Sequence, residues 1–259
     1  MSKGGNVKNR RSAGETIPLI EPLEPRLLLS GNVTVFTIGT GLFAYGDVSA
    51  NDILIEQGVL HAGLFTVTGR NATTVNETAA GTPVEFPDIN GDLWAWMSDG
   101  NDVLEVKGAT VPGLMWVDGG AGDNTVTIDP TTINGSVFVM NGVGLDTFSM
   151  TSSQILGSLT ILNGDGGSNT TLDGGTVDGS VTVFNGAGSD SFLLDNSSSG
   201  DGIYAASSSS TATGVPTRRS MTVASSAASP FSTARVTTIS PWTMWTKPRT
   251  SGRVPSATC

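Results

Sequence analysis

The chain has 259 residues, enough for one or two ordinary domains, and only 14% of them are charged. Its 34 glycines and abundant Ser, Thr, Asn and Asp leave too few long helix formers for a helical bundle. The net charge of −10 is uneven: residues 27–201 hold 20 acidic side chains against Arg70 and Lys107 alone, an acidic body that excludes nucleic acid as a partner.

With one cysteine, Cys259, and one histidine, His61, neither an internal disulfide nor a Cys/His zinc site can form. Acyl transfer would need His61 as its base, and no nucleophile is suggested near it, so it reads as an ordinary loop or strand histidine. No run reaches the ~18 apolar residues of a membrane span.

Residues 1–30 form a leader. Lys3, Lys8, Arg10 and Arg11 are followed by Ile17-Pro18-Leu19-Ile20-Glu21-Pro22, which Pro and Glu disqualify as the apolar segment of a cleavable secretion signal. Nor does Arg10-Arg11 have the hydrophobic stretch that follows a twin-arginine motif. Next comes Leu23-Glu24-Pro25-Arg26-Leu27-Leu28-Leu29-Ser30. This segment resembles the LEPR-XLL motif near the N-termini of surface and secreted proteins of planctomycete-type bacteria. The resemblance covers only this short segment and implies export and an extracellular, repeat-rich body, with no activity attached.

Residues 31–90 carry strand-like alternation at Val33–Glu56 and Val59–Thr68, and Asn51-Asp52-Ile53-Leu54-Ile55 echoes Asn101-Asp102-Val103-Leu104-Glu105. The pattern predicts two degenerate coils with an inserted loop over 69–88.

From residue 91 the chain repeats with a 22-residue period. Gly91, Gly113, Gly135, Gly157 and Gly179 keep that spacing, and so do Gly100, Gly122, Gly144, Gly166 and Gly188. A third row, Gly120, Gly142, Gly164 and Gly186, begins one coil later. Apolar pairs keep this phase, as in Leu93/Ala95, Met115/Val117 and Val181/Val183, and again in Leu104/Val106, Val126/Ile128 and Phe192/Leu194. Val111, Ile133, Ile155 and Val177 add a third position. Spacing of two marks one face of a strand, so each 22-residue coil holds two strands and a short third edge.

No single coil can bury its apolar residues alone, whereas stacked coils bury them as continuous ladders. The fold expected is therefore all-β, a parallel β-helix or β-solenoid over 91–205, right-handed by the crossover rule and flanked by disordered termini. Asn141, Asn163 and Asn185 are expected to form an amide ladder at one corner.

Three groups of residues invite a chemical reading. The turns 141–148 and 185–192 resemble RTX-type calcium repeats, in which a Gly-Gly-x-Gly-x-Asp turn holds calcium; the resemblance makes Asp102, Asp146 and Asp190 the candidate calcium positions. Asn replaces the first glycine in both turns, and the row runs Asp102, Asn124, Asp146, Ser168, Asp190. Adjacent coils never both offer a carboxylate, so ordinary turn geometry with Asx hydrogen bonds is expected instead, and no cofactor. Trp94, Trp116 and Phe138 share one outward position and are expected to stack as a contact for sugar rings or a protein. Asp129, Asp173 and Asp195 share another outward position, but without a groove, and with no basic residue apart from Lys107, a glycosidase or lyase is not expected.

After residue 205 the pattern stops. Residues 206–259 are rich in Ser, Thr, Pro and Arg, with six basic residues and no acidic one, and are read as a disordered tail, an out-of-frame reading of further coils with a genuine Ser/Thr/Pro-rich linker as the rival. The function expected is an exported structural or adhesive scaffold, extracellular or on the cell surface and part of something larger. Its partners would be surface or matrix components, polysaccharide among them. A carbohydrate-binding module is the alternative and a β-helix polysaccharide-degrading enzyme a distant third.

Overall fold

The computed structural model describes Met1, residues 31–58 and 61–195, Ser197, and the backbone of the strands at 198–199, 203–207 and 223–226. The leader with its Leu23–Ser30 motif, most of 206–259 and the disorder expected of both termini lie outside the described residues.

Every regular element described is a strand. Two hairpins come first, β1 (Asn32–Ile38) with β2 (Gly41–Tyr45) and β3 (Asp52–Gln57) with β4 (Phe65–Gly69), followed by short β5 (Thr74–Val75) and β6 (Pro83–Phe86). The repeat then sets in as β7 (Leu93–Trp96), β8 (Val103–Lys107) and β9 (Thr110–Val111). It continues as β10 (Met115–Asp118), β11 (Thr125–Asp129) and β12 (Thr132–Ile133), then β13 (Val137–Met140), β14 (Asp146–Thr151) and β15 (Gln154–Ile155). Two further coils supply β16 (Leu159–Leu162), β17 (Gly166–Asp173), β18 (Thr176–Val177), β19 (Val181–Asn185), β20 (Gly188–Asp195) and β21 (Ser198–Ser199). Last come β22 (Ile203–Ser207) and β23 (Val223–Ser226).

These strands stack into a β-solenoid. Its first sheet runs β22-β19-β16-β13-β10-β7-β2-β1-β5, its second β23-β20-β17-β14-β11-β8-β3-β4-β6, and its third β21-β18-β15-β12-β9. Within the repeat each strand pairs in parallel with its counterpart in the next coil, as Met115 with Val137 and Val126 with Phe148. The apolar ladders are buried as the spacing predicts: Leu93, Met115, Val137, Leu159 and Val181 line one row, and Val111, Ile133, Ile155 and Val177 another.

The glycine rows follow from the stacking. At Gly120 the backbone has φ of +69°, and a Cβ would collide with the Ser98 carbonyl of the coil before. At Gly122, with φ of +124°, the Gly100 carbonyl blocks a Cβ in the same way. The Asn ladder forms as expected: the Asn141 amide donates to Asn163 Oδ1 and the Asn163 amide to Asn185 Oδ1, both at 2.8 Å. A second ladder has Ala109 N–H donating to Thr131 Oγ1, Thr131 N–H to Ser153 Oγ and Gly175 N–H to Ser197 Oγ.

The described residues before β7 differ from the two degenerate coils expected. Only β2 and β3 take coil positions, in parallel with β7 and β8. Their neighbours β1 and β4 run antiparallel to them, and β6 antiparallel to β4. A parallel neighbour needs a crossover of about a dozen residues, and only Gly39 and Thr40 separate β1 from β2. The stretch 69–88 is more than a loop: it contributes β5 and β6 to the sheet ends and buries Thr73, Val75 and Phe86. Together these strands close one end of the core. Arg70 fastens them to the first coil, donating from Nε to Asp52 Oδ1 at 2.8 Å and from Nη1 to Glu105 Oε2 at 2.5 Å. Burial works to lower the Arg70 pKa, but those two carboxylates outweigh it and leave the guanidinium raised.

Candidate functional site

The outward residues of the first sheet build one continuous aromatic surface. On β7 the burial alternates, with Leu93 and Ala95 inside and Trp94 and Trp96 half-exposed outside. Parallel pairing sets Trp116 beside Trp94 and Phe138 beside Trp116. The ring centroids are 5.4 Å apart at both steps: Trp94 and Trp116 stack as expected, while Phe138 is tilted by 31° against Trp116.

The ribbon is longer than the sequence suggested. Phe43 of β2 joins Trp94 at 6.2 Å, and Tyr45 joins Trp96 at 4.6 Å. Phe36 of β1 stacks on both Phe43 and Tyr45, and Trp94 on Trp96 at 5.3 Å. Seven rings thus overlap in two adjoining rows. Apart from the tilted Phe138, centroids this close between stacked rings mean offset stacking with each ring partly covering the next. Phe36 and Tyr45 are the most open, at 37% and 40% exposure.

Beyond the rings the same face stays weakly polar. One row continues through Thr160 and Thr182, the other through Asp118, Met140, Leu162 and Phe184. Asp118 is the one charged residue in these two rows.

Trp96 was legible as the residue two places after Trp94. Phe43, Tyr45 and Phe36 were not, because the chain between Phe43 and its partner Trp94 is more than twice the repeat length. A hairpin inserted between rungs destroys the phase by which a sequence row is recognised.

The aspartate row is also assembled, as a backbone-binding ladder. Asp102 Oδ1 accepts from the Asn51 N–H at 2.7 Å, Asn124 Oδ1 from the Asp102 N–H at 3.1 Å, and Asp146 Oδ1 from the Asn124 N–H at 3.2 Å. Ser168 Oγ donates to Asp190 Oδ1 at 3.0 Å. Asp102 and Asp146 each accept a backbone N–H on Oδ1, and among the described residues no three acidic, His or Cys side chains converge as a metal site. Burial raises both Asp102 and Asp146 to about 6, partly offset by those bonds from Asn51 and Asn124.

Asp173 and Asp195 pair on adjacent rungs of the second sheet, and Asp129 pairs with Lys107. His61 is exposed in a turn, its N–H donating to the Gly58 carbonyl. No helix among the described residues is long and apolar enough to cross a membrane. Comparison with known proteins returns no matching family model, no matching curated protein and no matching solved structure.

Proposed function

We propose that the chain is an exported structural and adhesive scaffold, a solenoid that meets cell-surface or matrix components through the aromatic face of its first sheet. The seven-ring ribbon carries this reading. An uncharged aromatic band on a strongly acidic body offers a place where a partner can approach without charge repulsion. The leader's resemblance to LEPR-XLL proteins supports export. Because the rings overlap, the face offers broad contact rather than one isolated ring for one ligand. The reading assigns no catalytic residue.

The test is retention of purified chain on isolated bacterial surface material. Trp94→Ala with Trp116→Ala should lose most of the retained fraction while the β signal in circular dichroism stays. Equal retention of wild type and double variant would remove the aromatic face from the function.

A second reading, a carbohydrate-binding module, is favoured by the ladder spacing. A ring-to-ring step of 5.4 Å is close to the length of one pyranose unit in an extended chain, and Thr160 and Thr182 supply hydroxyls further along the same row. Retention abolished by soluble neutral oligosaccharide would select this reading over general adhesion.

A further inference from the structure

Asn124 and its neighbours at equivalent places form the same bond with one branch of their side chains and differ in the other. Asn124 Nδ2 donates to the carbonyls of Gly120 and Gly122 at 3.2 and 3.1 Å, both in its own turn. Asn51 Nδ2 does the same with Asp47 and Ser49, at 3.0 and 2.6 Å. In each such turn a side-chain donor satisfies two inward carbonyls.

Asp102 and Asp146 occupy the same row one coil before and one coil after Asn124. Their Oδ1 atoms make the bond that Asn124 Oδ1 makes, so the planar group directs Oδ2 to the place of the amide Nδ2. By the equivalence of the coils, the carbonyls that Asn124 meets at Gly120 and Gly122 have as counterparts those of Ser98 and Gly100 for Asp102, and of Gly142 and Gly144 for Asp146. Both aspartates are almost wholly buried, at 2% and 1% exposure, and neither Oδ2 has a hydrogen-bond partner in the protein. An ionised carboxylate aimed at carbonyl oxygens is repelled by them; a neutral carboxylic acid has the one O–H that the site lacks.

We propose that Asp102 and Asp146 are proton-operated latches, each closing its turn as a neutral acid that donates Oδ2–H to the turn carbonyls, and loosening it when ionised. The proton comes from solvent and returns to it. The electrostatic surroundings agree: burial is the main cause of the rise from the ordinary 3.8 to about 6, and Asp47 and Asp99 near Asp102, and Asp123 near Asp146, add to it. The bonds from Asn51 and Asn124 oppose it without cancelling it.

The folded state therefore holds these two protons more tightly than the unfolded chain. The stability they confer is complete below about pH 4 and is lost as pH rises through about 6. Between pH 5 and 7.5 the loss is about tenfold in the folding equilibrium constant per aspartate.

The experiment is urea unfolding of the full chain at pH 5 and 7.5 in chelator. Wild type should lose stability at the higher pH. Asp102→Asn with Asp146→Asn supplies the amide donor that Asn124 already provides. It should flatten the pH dependence and exceed wild type at pH 7.5. The reciprocal Asn124→Asp, useful if the double variant does not fold, should unfold more readily at pH 7.5 and recover at pH 5. An unchanged pH dependence in the double variant, or an Asn124→Asp equally stable at both pH values, overturns the latch. So does millimolar calcium that stabilises wild type at pH 7.5 and not the double variant, since the turns would then hold a cation.

Discussion

Val181 and Thr182 are adjacent in sequence and sit on opposite sides of the wall. Val181 is fully buried between Leu159 and the next coil, whereas Thr182 lies outward in the row of Thr160. An unpaired carboxylate at the first place is removed from water with no partner, costing several kcal/mol or more; at the second it stays hydrated and costs roughly nothing. Val181→Asp should therefore abolish soluble folded protein, and Thr182→Asp should express and melt like wild type. Expression yield and a thermal melt decide it, and a reversed ranking would mean that the strand faces are exchanged. Period two made this distinction legible from sequence, because inside and outside alternate along a strand whatever its neighbours are. The hidden half of the residue-scale detail is the bonding of the polar rows. That Asp102 binds the Asn51 backbone, or that Thr131 and Ser153 form a hydroxyl ladder, depends on which corner each turn points inward, and spacing does not carry that information.

At the scale of the strand and coil, the repeat is a unit because every one of its strands pairs with its counterpart one coil away. Deleting Gly135–Leu156 takes out β13, β14 and β15 together and brings β10 into register with β16. Each glycine corner then still faces another glycine corner. Deleting only the first half of that segment joins a first-sheet position to a second-sheet one and puts side chains where the Gly120 and Gly122 turns have no room. Thermal melts should show the whole-coil deletion far milder than the half-coil one; equal damage would refute the unit. The coils were legible because three glycine rows and the apolar pairs agree in phase. The opening hairpins were not, because alternation identifies a strand without its direction. The direction of β1 and β4 is set by the loop before or after each and by the need to close the open end of the core. The same blindness hid Phe36, Phe43 and Tyr45, so three of the seven rings of the candidate site were out of reach while Trp94, Trp116 and Phe138 were plain.

For the molecule as a whole, two predictions concern what holds the stack together and how far the repeat extends. Calcium should not drive folding: the carboxylate row is broken by Asn124 and Ser168, so adjacent turns never both supply a carboxylate to a shared ion. Circular dichroism in chelator and then in millimolar calcium should show no large gain of β signal. The second prediction is that the chain after about residue 205 is an out-of-frame reading of further coils. Up to β22 the pairing keeps step, Val181 meeting Ile203, its equivalent one full coil on. At β23 it does not: Phe192 pairs with Val223, whereas its equivalent one coil on is Gly214. The composition changes just before β22. Asp, Asn and Gly recur in each coil before it, whereas after Gly202 there is no Asp, Glu or Asn, and only Gly214 and Gly252 remain. Arg, Ser, Thr and Pro replace them, as in Arg218-Arg219-Ser220 and Lys247-Pro248-Arg249. Shifting the frame converts Gly and Asp codons into Arg, Ala and Thr codons, which reproduces both the lost acids and the gained bases. A native Ser/Thr/Pro-rich linker is the rival, since it accounts equally for the polar composition and the lost register. Translating the gene from codon 205 in the other two frames should recover Gly-x-Gly-x-Asp turns at the spacing of the preceding coils. If neither frame contains them, the tail is a linker in its own right.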